Sequence, residues 1–160
     1  MTVLGEQKPR IVLVETALLG QGLPFLTSAD ILRAWRHNTS VSLVWLEKGR
    51  IATGNLEDFL PLRGNPHMER IGASSLTAAM REGVSGYLTA SAVMAIAAQT
   101  GNPVVVTAGM GGIRGGMISD DLIALSRFPV VLVASAPKDT LDLPTTMDYL
   151  RRHGVRLLGR

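Results

Sequence analysis

Residues 107–116 read Thr-Ala-Gly-Met-Gly-Gly-Ile-Arg-Gly-Gly, with five glycines in eight positions from Gly109 to Gly116. Glycine removes the side chains that keep an anion away from backbone N–H groups. The run in front, Pro103-Val-Val-Val-Thr107, has the apolar character of a buried strand, and Ser119-Asp-Asp-Leu122 behind it has that of a capped helix start. Strand, glycine-dense turn and helix N-terminus together can bring bare amides up to a phosphate or carboxylate. The spacing is neither that of a dinucleotide loop nor that of a P-loop, since there is no Gly-x-Gly-x-x-Gly and no Gly-Lys-Ser/Thr. A mobile surface turn has the same composition, and on this stretch alone the two readings stand level.

The elements that must hold this loop alternate between strand and helix. Arg10–Glu15 predicts a first strand, followed by the loop Gly20–Pro24 and a helix capped by Ser28 whose Ile31, Leu32 and Trp35 share a face. Val41–Leu46 and Arg50–Thr53 flank Glu47-Lys-Gly-Arg50 and predict a β-hairpin. Asn55 caps a short helix through Leu60, and residues 61–70, with two prolines and Gly64, form the loosest interior segment. Ser75 opens a helix to Glu82, ended by Gly83 and Gly86, and Thr89–Gln99 is a helix of small residues. Pro103–Thr107 and Pro129–Ala134 are continuous apolar runs, as strands covered on both faces require. Asp142 or Leu143 starts a helix ending at Gly154, and Val155–Leu158 predicts a last strand. The expected organisation is a polar lead-in over residues 1–9 and one α/β/α domain over 10–160.

Composition narrows the chemistry. At 160 residues and 46% hydrophobic the chain suits one well-buried domain. Its formal charge of +3 comes from scattered arginines with no basic block beside aromatics, which argues against a nucleic-acid groove. The absence of cysteine excludes disulfides, thiolate metal sites and a cysteine nucleophile, and fits a cytoplasmic setting. No apolar run approaches the ~18 residues of a membrane helix, so no membrane partner is expected. His37, His67 and His153 lack metal-ligand spacing.

Taken in order, several segments resemble the pseudouridine-5′-phosphate glycosidase family, also called indigoidine synthase A-like. Val14-Glu-Thr-Ala-Leu-Leu-Gly-Gln-Gly-Leu-Pro24 is similar to that family's strand, glutamate and Gly-x-Pro loop. Thr107–Ile113 is similar to its Thr-Gly-Gly-Ile-Gly-Gly loop. Ile118–Leu122, Pro129–Lys138 and Leu141-Asp142 follow, and Met147–Val155 is similar to its Glu-Tyr-Leu-Glu-x-x-Gly-Val segment. The series spans residues 10–160.

The resemblance implies a three-layer α/β/α fold with a mostly parallel mixed sheet, assembled as a homo-oligomer. It implies a reaction in which a lysine forms a Schiff base with the ribose of a C-nucleoside phosphate, a glutamate moves protons, a metal helps hold the site and the glycine loop grips the phosphate. By position, Glu15 is the acid/base carboxylate and Lys138 a polar site residue and candidate amine. Thr107, Gly109, Gly111, Gly112 and Ser119 are the phosphate-binding positions, with Arg114 where a histidine is usual and Asp121 as a further polar site residue. A carboxylate ending an apolar strand can be desolvated, as general acid–base work requires. In the plainer reading Glu15 closes a strand-end network, Ser119 only caps a helix, Asp121 only meets a helix dipole and Lys138 is a turn residue.

The departures from the family shape the expected function. Glu82 stands where the resemblance places the Schiff-base lysine, Met117 lies nearest the position of the metal aspartate, and Gln21 replaces a histidine of the first loop. A carboxylate cannot form an imine. The expectation is therefore a protein that binds a ribose-phosphate-type small molecule, needs no metal or cofactor, and has an altered or lost glycosidase or lyase activity. The alternative is a non-catalytic oligomeric or partner-assembly protein that keeps only the fold.

Overall fold

The computed structural model describes residues 11–35, 41–137 and 140–159. Arg10 and Lys138, at the edges of two expected segments, lie outside the described residues.

The main sheet has seven strands. β1 (Val12–Val14) pairs in parallel with β2 (Val41–Glu47) on one side and with β6 (Val104–Met110) on the other, and β6 pairs in parallel with β9 (Val131–Pro137). β3 (Arg50–Gly54) completes the expected hairpin on β2. β5 (Gly86–Leu88) runs antiparallel to the far end of β2, with β4 (Glu69–Ile71) parallel to it. The sheet is thus mixed and mostly parallel.

The two faces of the sheet carry different helices. On one side α3 (Ala73–Arg81), α4 (Ala90–Thr100) and α5 (Asp120–Arg127) pack on Leu13, Val44, Leu46, Leu88 and Val105. α6 (Leu143–Arg152) joins this layer through Leu150 and Leu132. α4 lies deepest: Ala90–Ala97 are all buried, and side chains this small let the helix rest close on the strands. On the opposite side α1 (Ser28–Ala34) and α2 (Leu56–Phe59) pack on Leu43, Trp45 and Tyr87. The result is an α/β/α arrangement.

Local chemistry explains most boundaries and several departures from expectation. Thr27, not Ser28, caps α1, because Asp30 three residues on returns a bond to the Thr27 N–H at 3.0 Å and completes a capping box. Only Ile31 of the expected α1 face is buried; Leu32 is exposed and Trp35 half-buried. Asn55 and Asp58 form the same box at α2, and Asp142 caps α6 with Pro144 in its first turn. α3 begins at Ala73, two residues before the expected start, behind Gly72.

β4 and β5 were not expected, because three-residue strands placed among prolines and glycines show no alternation to read. Val155–Leu158 forms no strand: the Val155 N–H turns back to Leu150 O of α6 at 2.9 Å, and Leu158 is 82% exposed. β9 is not covered on both faces either. Val131 and Val133 are 52% and 50% exposed, since the apolar cluster under α1 and α2 reaches β1, β2, β3 and β5 but includes no residue of β9.

Candidate functional site

The site grows from a seam in the sheet. β1 follows the first part of β2, up to Leu43, while β5 follows its later part through Trp45 and Leu46 in the opposite direction. The two strands therefore run head to head. Where they meet, the Thr16 N–H donates to Leu88 O at 3.0 Å. The fully buried Thr16 hydroxyl donates to Val44 O at 2.7 Å and accepts from the Leu88 N–H at 3.0 Å. β6 is parallel to β1, and β4 to β5, so four strand C-termini point into one crevice. Chain reversals of this kind make natural ligand sites, because the loops leaving the strands diverge around them.

Glu15 ends β1 at this seam and is only 7% exposed. Its Oε1 receives the Thr107 hydroxyl at 3.4 Å, and its Oε2 the Leu18 N–H at 3.3 Å. Burial pushes its carboxyl above the ordinary value near 4.5. The Leu18 and Ala17 amides and the positive charge of Arg70 oppose that shift, while the negative charge of Asp121 adds to it. A buried carboxyl whose charged form is disfavoured in this way is suited to proton transfer.

The glycine stretch is less open than its composition implies. β6 continues through Gly109 to Met110, and a small hairpin follows, β7 (Ile113–Arg114) with β8 (Met117–Ile118). Gly109 N–H points at the Thr107 hydroxyl at 3.4 Å. Gly111 N–H donates to Asp121 Oδ2 at 2.7 Å, and Ile113 N–H to Thr146 Oγ1 at 2.9 Å. Gly111 and Gly112 serve close packing: an added Cβ would lie 2.8 Å from Ser119 Oγ at the first and 2.7 Å from Thr146 Oγ1 at the second. Arg114 stands exposed on the hairpin and lines neither hollow described here.

Beside this stretch lies a polar cleft of about 400 Å³, lined by Arg70, Ser74, Ser75, Thr89, Ser91, Gly111, Ser119, Asp120 and Asp121. The N-termini of α3, α4 and α5 converge on it and are tied to one another. Asp120 Oδ2 accepts from the Ser74 hydroxyl at 2.6 Å, and Asp121 Oδ1 from the Ser91 N–H at 2.9 Å. Ser91 Oγ accepts from the Ala73 N–H at 3.1 Å. Ser119 caps α5, accepting from the Leu122 N–H at 3.4 Å. Among the described residues Arg70 is in no ion pair, so its guanidinium is available to an anion. A second hollow of about 550 Å³ is mostly apolar; Glu15 and Thr107 line this one and not the polar cleft, with Val14, Leu18, Trp35, Val106 and Ala108 in the same wall. No three carboxylate or histidine side chains gather as a metal site among the described residues.

The structure thus brings together Glu15 with Thr107, and Gly111 with Ser119 and Asp121, while Lys138 lies outside the described residues. Arg70, Ser74, Thr89 and Ser91 escaped the sequence reading. Arg70 sits in a segment read as loose, and the serines and threonine look like ordinary helix caps. The signal that could have found them is positional: each lies at or just after a strand C-terminus.

Comparison with known proteins bears on the whole chain. The family described as indigoidine synthase A like protein matches residues 2–160. A pseudouridine-5′-phosphate glycosidase from Myxococcus xanthus is 31% identical over 93% of this chain and 53% of its own length. One from Methylobacterium nodulans is 32% identical over 93% and 48%. The chain spans about half the length of the curated relatives it matches. Among solved structures, an indigoidine synthase A-like protein from Thermotoga maritima superposes with a TM-score of 0.72 at 27% identity, over 91% of this chain and 52% of that one. The prealnumycin C-glycosynthase AlnA, in complex with ribulose 5-phosphate, shares the fold with a TM-score of 0.75 at 24% identity, over 91% and 50%.

Proposed function

The chain belongs to the indigoidine synthase A-like, pseudouridine-5′-phosphate glycosidase family, and we propose that it binds a phosphorylated pentose in the polar cleft at the seam of its sheet. The observation that carries this reading is Arg70, a cation without an ion pair among the described residues that lines a cleft rimmed by hydroxyls, with Glu15 close enough to feel its charge. In this reading Arg70 and the neighbouring serine and threonine hydroxyls hold the phosphate, and the sugar reaches toward Asp121 and Glu15. The sugar phosphates in the names of the relatives and of the AlnA complex support that ligand class.

For the reaction, Glu15 moves the proton. Lys138, which follows directly on the last residue of β9, is the amine we assign to imine formation with the open-chain sugar. With Glu82 where the resemblance places the Schiff-base lysine, the glycosidase or lyase activity is altered or lost while binding persists. The protein acts as a homo-oligomer in the cytoplasm.

The test is thermal stabilisation by ribose 5-phosphate, with ribose as control. Ribose 5-phosphate should raise Tm and ribose should not. Arg70→Gln should weaken binding about tenfold or more, since a charged hydrogen bond contributes roughly 1.5–3 kcal/mol. Absence of any shift in the wild-type protein rejects the ligand class. Borohydride reduction with ribose 5-phosphate should add one reduced sugar phosphate at Lys138; an unmodified chain that still binds leaves a binding protein.

A further inference from the structure

After Glu15 the chain makes a five-residue π-helical turn, Leu18–Gly22, whose leading end lies against the Glu15 carboxyl. Ala17, the residue in front of the turn, has no side chain able to cap it, so the Glu15 carboxylate is what accepts from the Leu18 N–H there. What fixes the turn is a second segment, which follows α2. Arg63 Nε donates to Leu19 O at 3.1 Å, and its Nη2 donates to Leu23 O. Gly64 N–H donates to Gly20 O at 3.0 Å, and Gln21 Nε2 to Met68 O at 3.3 Å. The Tyr87 hydroxyl secures the clamping segment by donating to Leu62 O and accepting from the Asn65 N–H at 3.0 Å. The Tyr87 ring supports the turn from beneath, for a Cβ on Gly20 would fall 2.4 Å from it. Two residues past Met68 the same segment becomes the strand position of Arg70.

We propose that Arg63 is a positioning residue for Glu15: by gripping the carbonyl end of the π-helical turn, it holds the turn's leading amides against the Glu15 carboxyl and keeps that carboxyl in register with the strand that carries Arg70. The inference rests on the reading of Glu15 as the proton-carrying group of the site. Arginine suits the task because its planar fork reaches two carbonyls four residues apart, and its charge complements the negative end of a helical turn. A lysine offers one nitrogen and cannot span both in the same geometry. Gly64 and Gln21 hold one carbonyl and one side chain of the same loop, so Arg63 is the clamp that bridges it.

The experiment follows the Glu15 carboxyl directly, by NMR titration of side-chain ¹³C-labelled glutamate, with the signal assigned by its loss in Glu15→Gln. In Arg63→Ala the Leu18 amide drifts from the carboxylate, so Glu15 should titrate at higher pH than in the wild-type protein. Arg63→Lys, which keeps the charge and loses the fork, should fall between. A Glu15 titration that stays put in Arg63→Lys and Arg63→Ala, whatever happens to their melting temperatures, overturns the proposal and leaves Arg63 a fold-stabilising residue. If Arg63→Ala does not fold, Arg63→Lys decides by the same criterion. The titration needs no ligand, so a failure of ribose 5-phosphate to bind rejects the functional reading without deciding this one.

Discussion

Glu15 is costly to keep charged. Its burial outweighs the amides that face it, and its folded-state pKa stands above the ordinary value. For a carboxyl raised in this way, the favourable contribution to stability is complete below the ordinary value near 4.5 and is lost as pH climbs through the folded-state value. Glu15→Gln keeps the shape and removes the charge. The variant should therefore gain stability relative to the wild-type protein as pH rises above the ordinary carboxyl value near 4.5, with the gain levelling off once pH passes the folded-state value. Calorimetry of the two proteins across that range checks it. A relative loss on raising the pH would mean that Glu15 is held ionised by a partner, and that it is no acid/base group. The same carboxyl shows where residue-level reading stops: the end of an apolar strand is visible in Val12–Glu15, but its contact with Thr107, 92 positions away, is a product of the sheet.

At the scale of elements, the junction of β1 with β5 determines where the site lies, and Thr16 is its rivet. Thr16→Val preserves volume but leaves Val44 O and the Leu88 N–H without that partner in a fully buried place. A cost of about 1–3 kcal/mol is expected, together with weaker ribose 5-phosphate stabilisation, because the strand ends that carry Glu15 and Thr89 would no longer be locked together. Denaturant melts with and without ligand measure both. This junction also explains what could be read in advance. The hairpin of β2 and β3, the apolar cores of β6 and β9, and the caps at Asn55, Ser119 and Asp142 announce themselves through local chemistry, and the structure has them. β4 and β5 do not, because each is a three-residue strand whose existence depends on pairing with β2 or with each other. Without those strands Arg70 reads as a loop arginine, and the expected anion site falls on the glycine stretch alone, where the Gly111 and Ile113 amides donate to Asp121 and Thr146.

For the whole molecule, the uneven covering of the sheet matters most. One face is roofed from β4 to β9 by α3–α6, whereas the cluster under α1 and α2 on the other reaches β1, β2, β3 and β5 and stops short of β9. Val131 and Val133 on β9 are left half exposed, on a strand that is the last of its sheet. An apolar face beside an open strand edge is a surface that soluble chains ordinarily cover or break with charge, and β9 carries no charged residue from Val131 to Pro137. A second copy of the chain is the occupant implied by the proposed homo-oligomer. Light scattering should then report a mass above the 17.1 kDa of one chain. Val133→Glu should shift the protein toward the monomer while costing the fold no more than ~0.5 kcal/mol, as expected at a half-exposed surface position. A wild-type protein that is monomeric, or a Val133→Glu variant that keeps the wild-type mass, would show that the open side of β9 is not where copies meet.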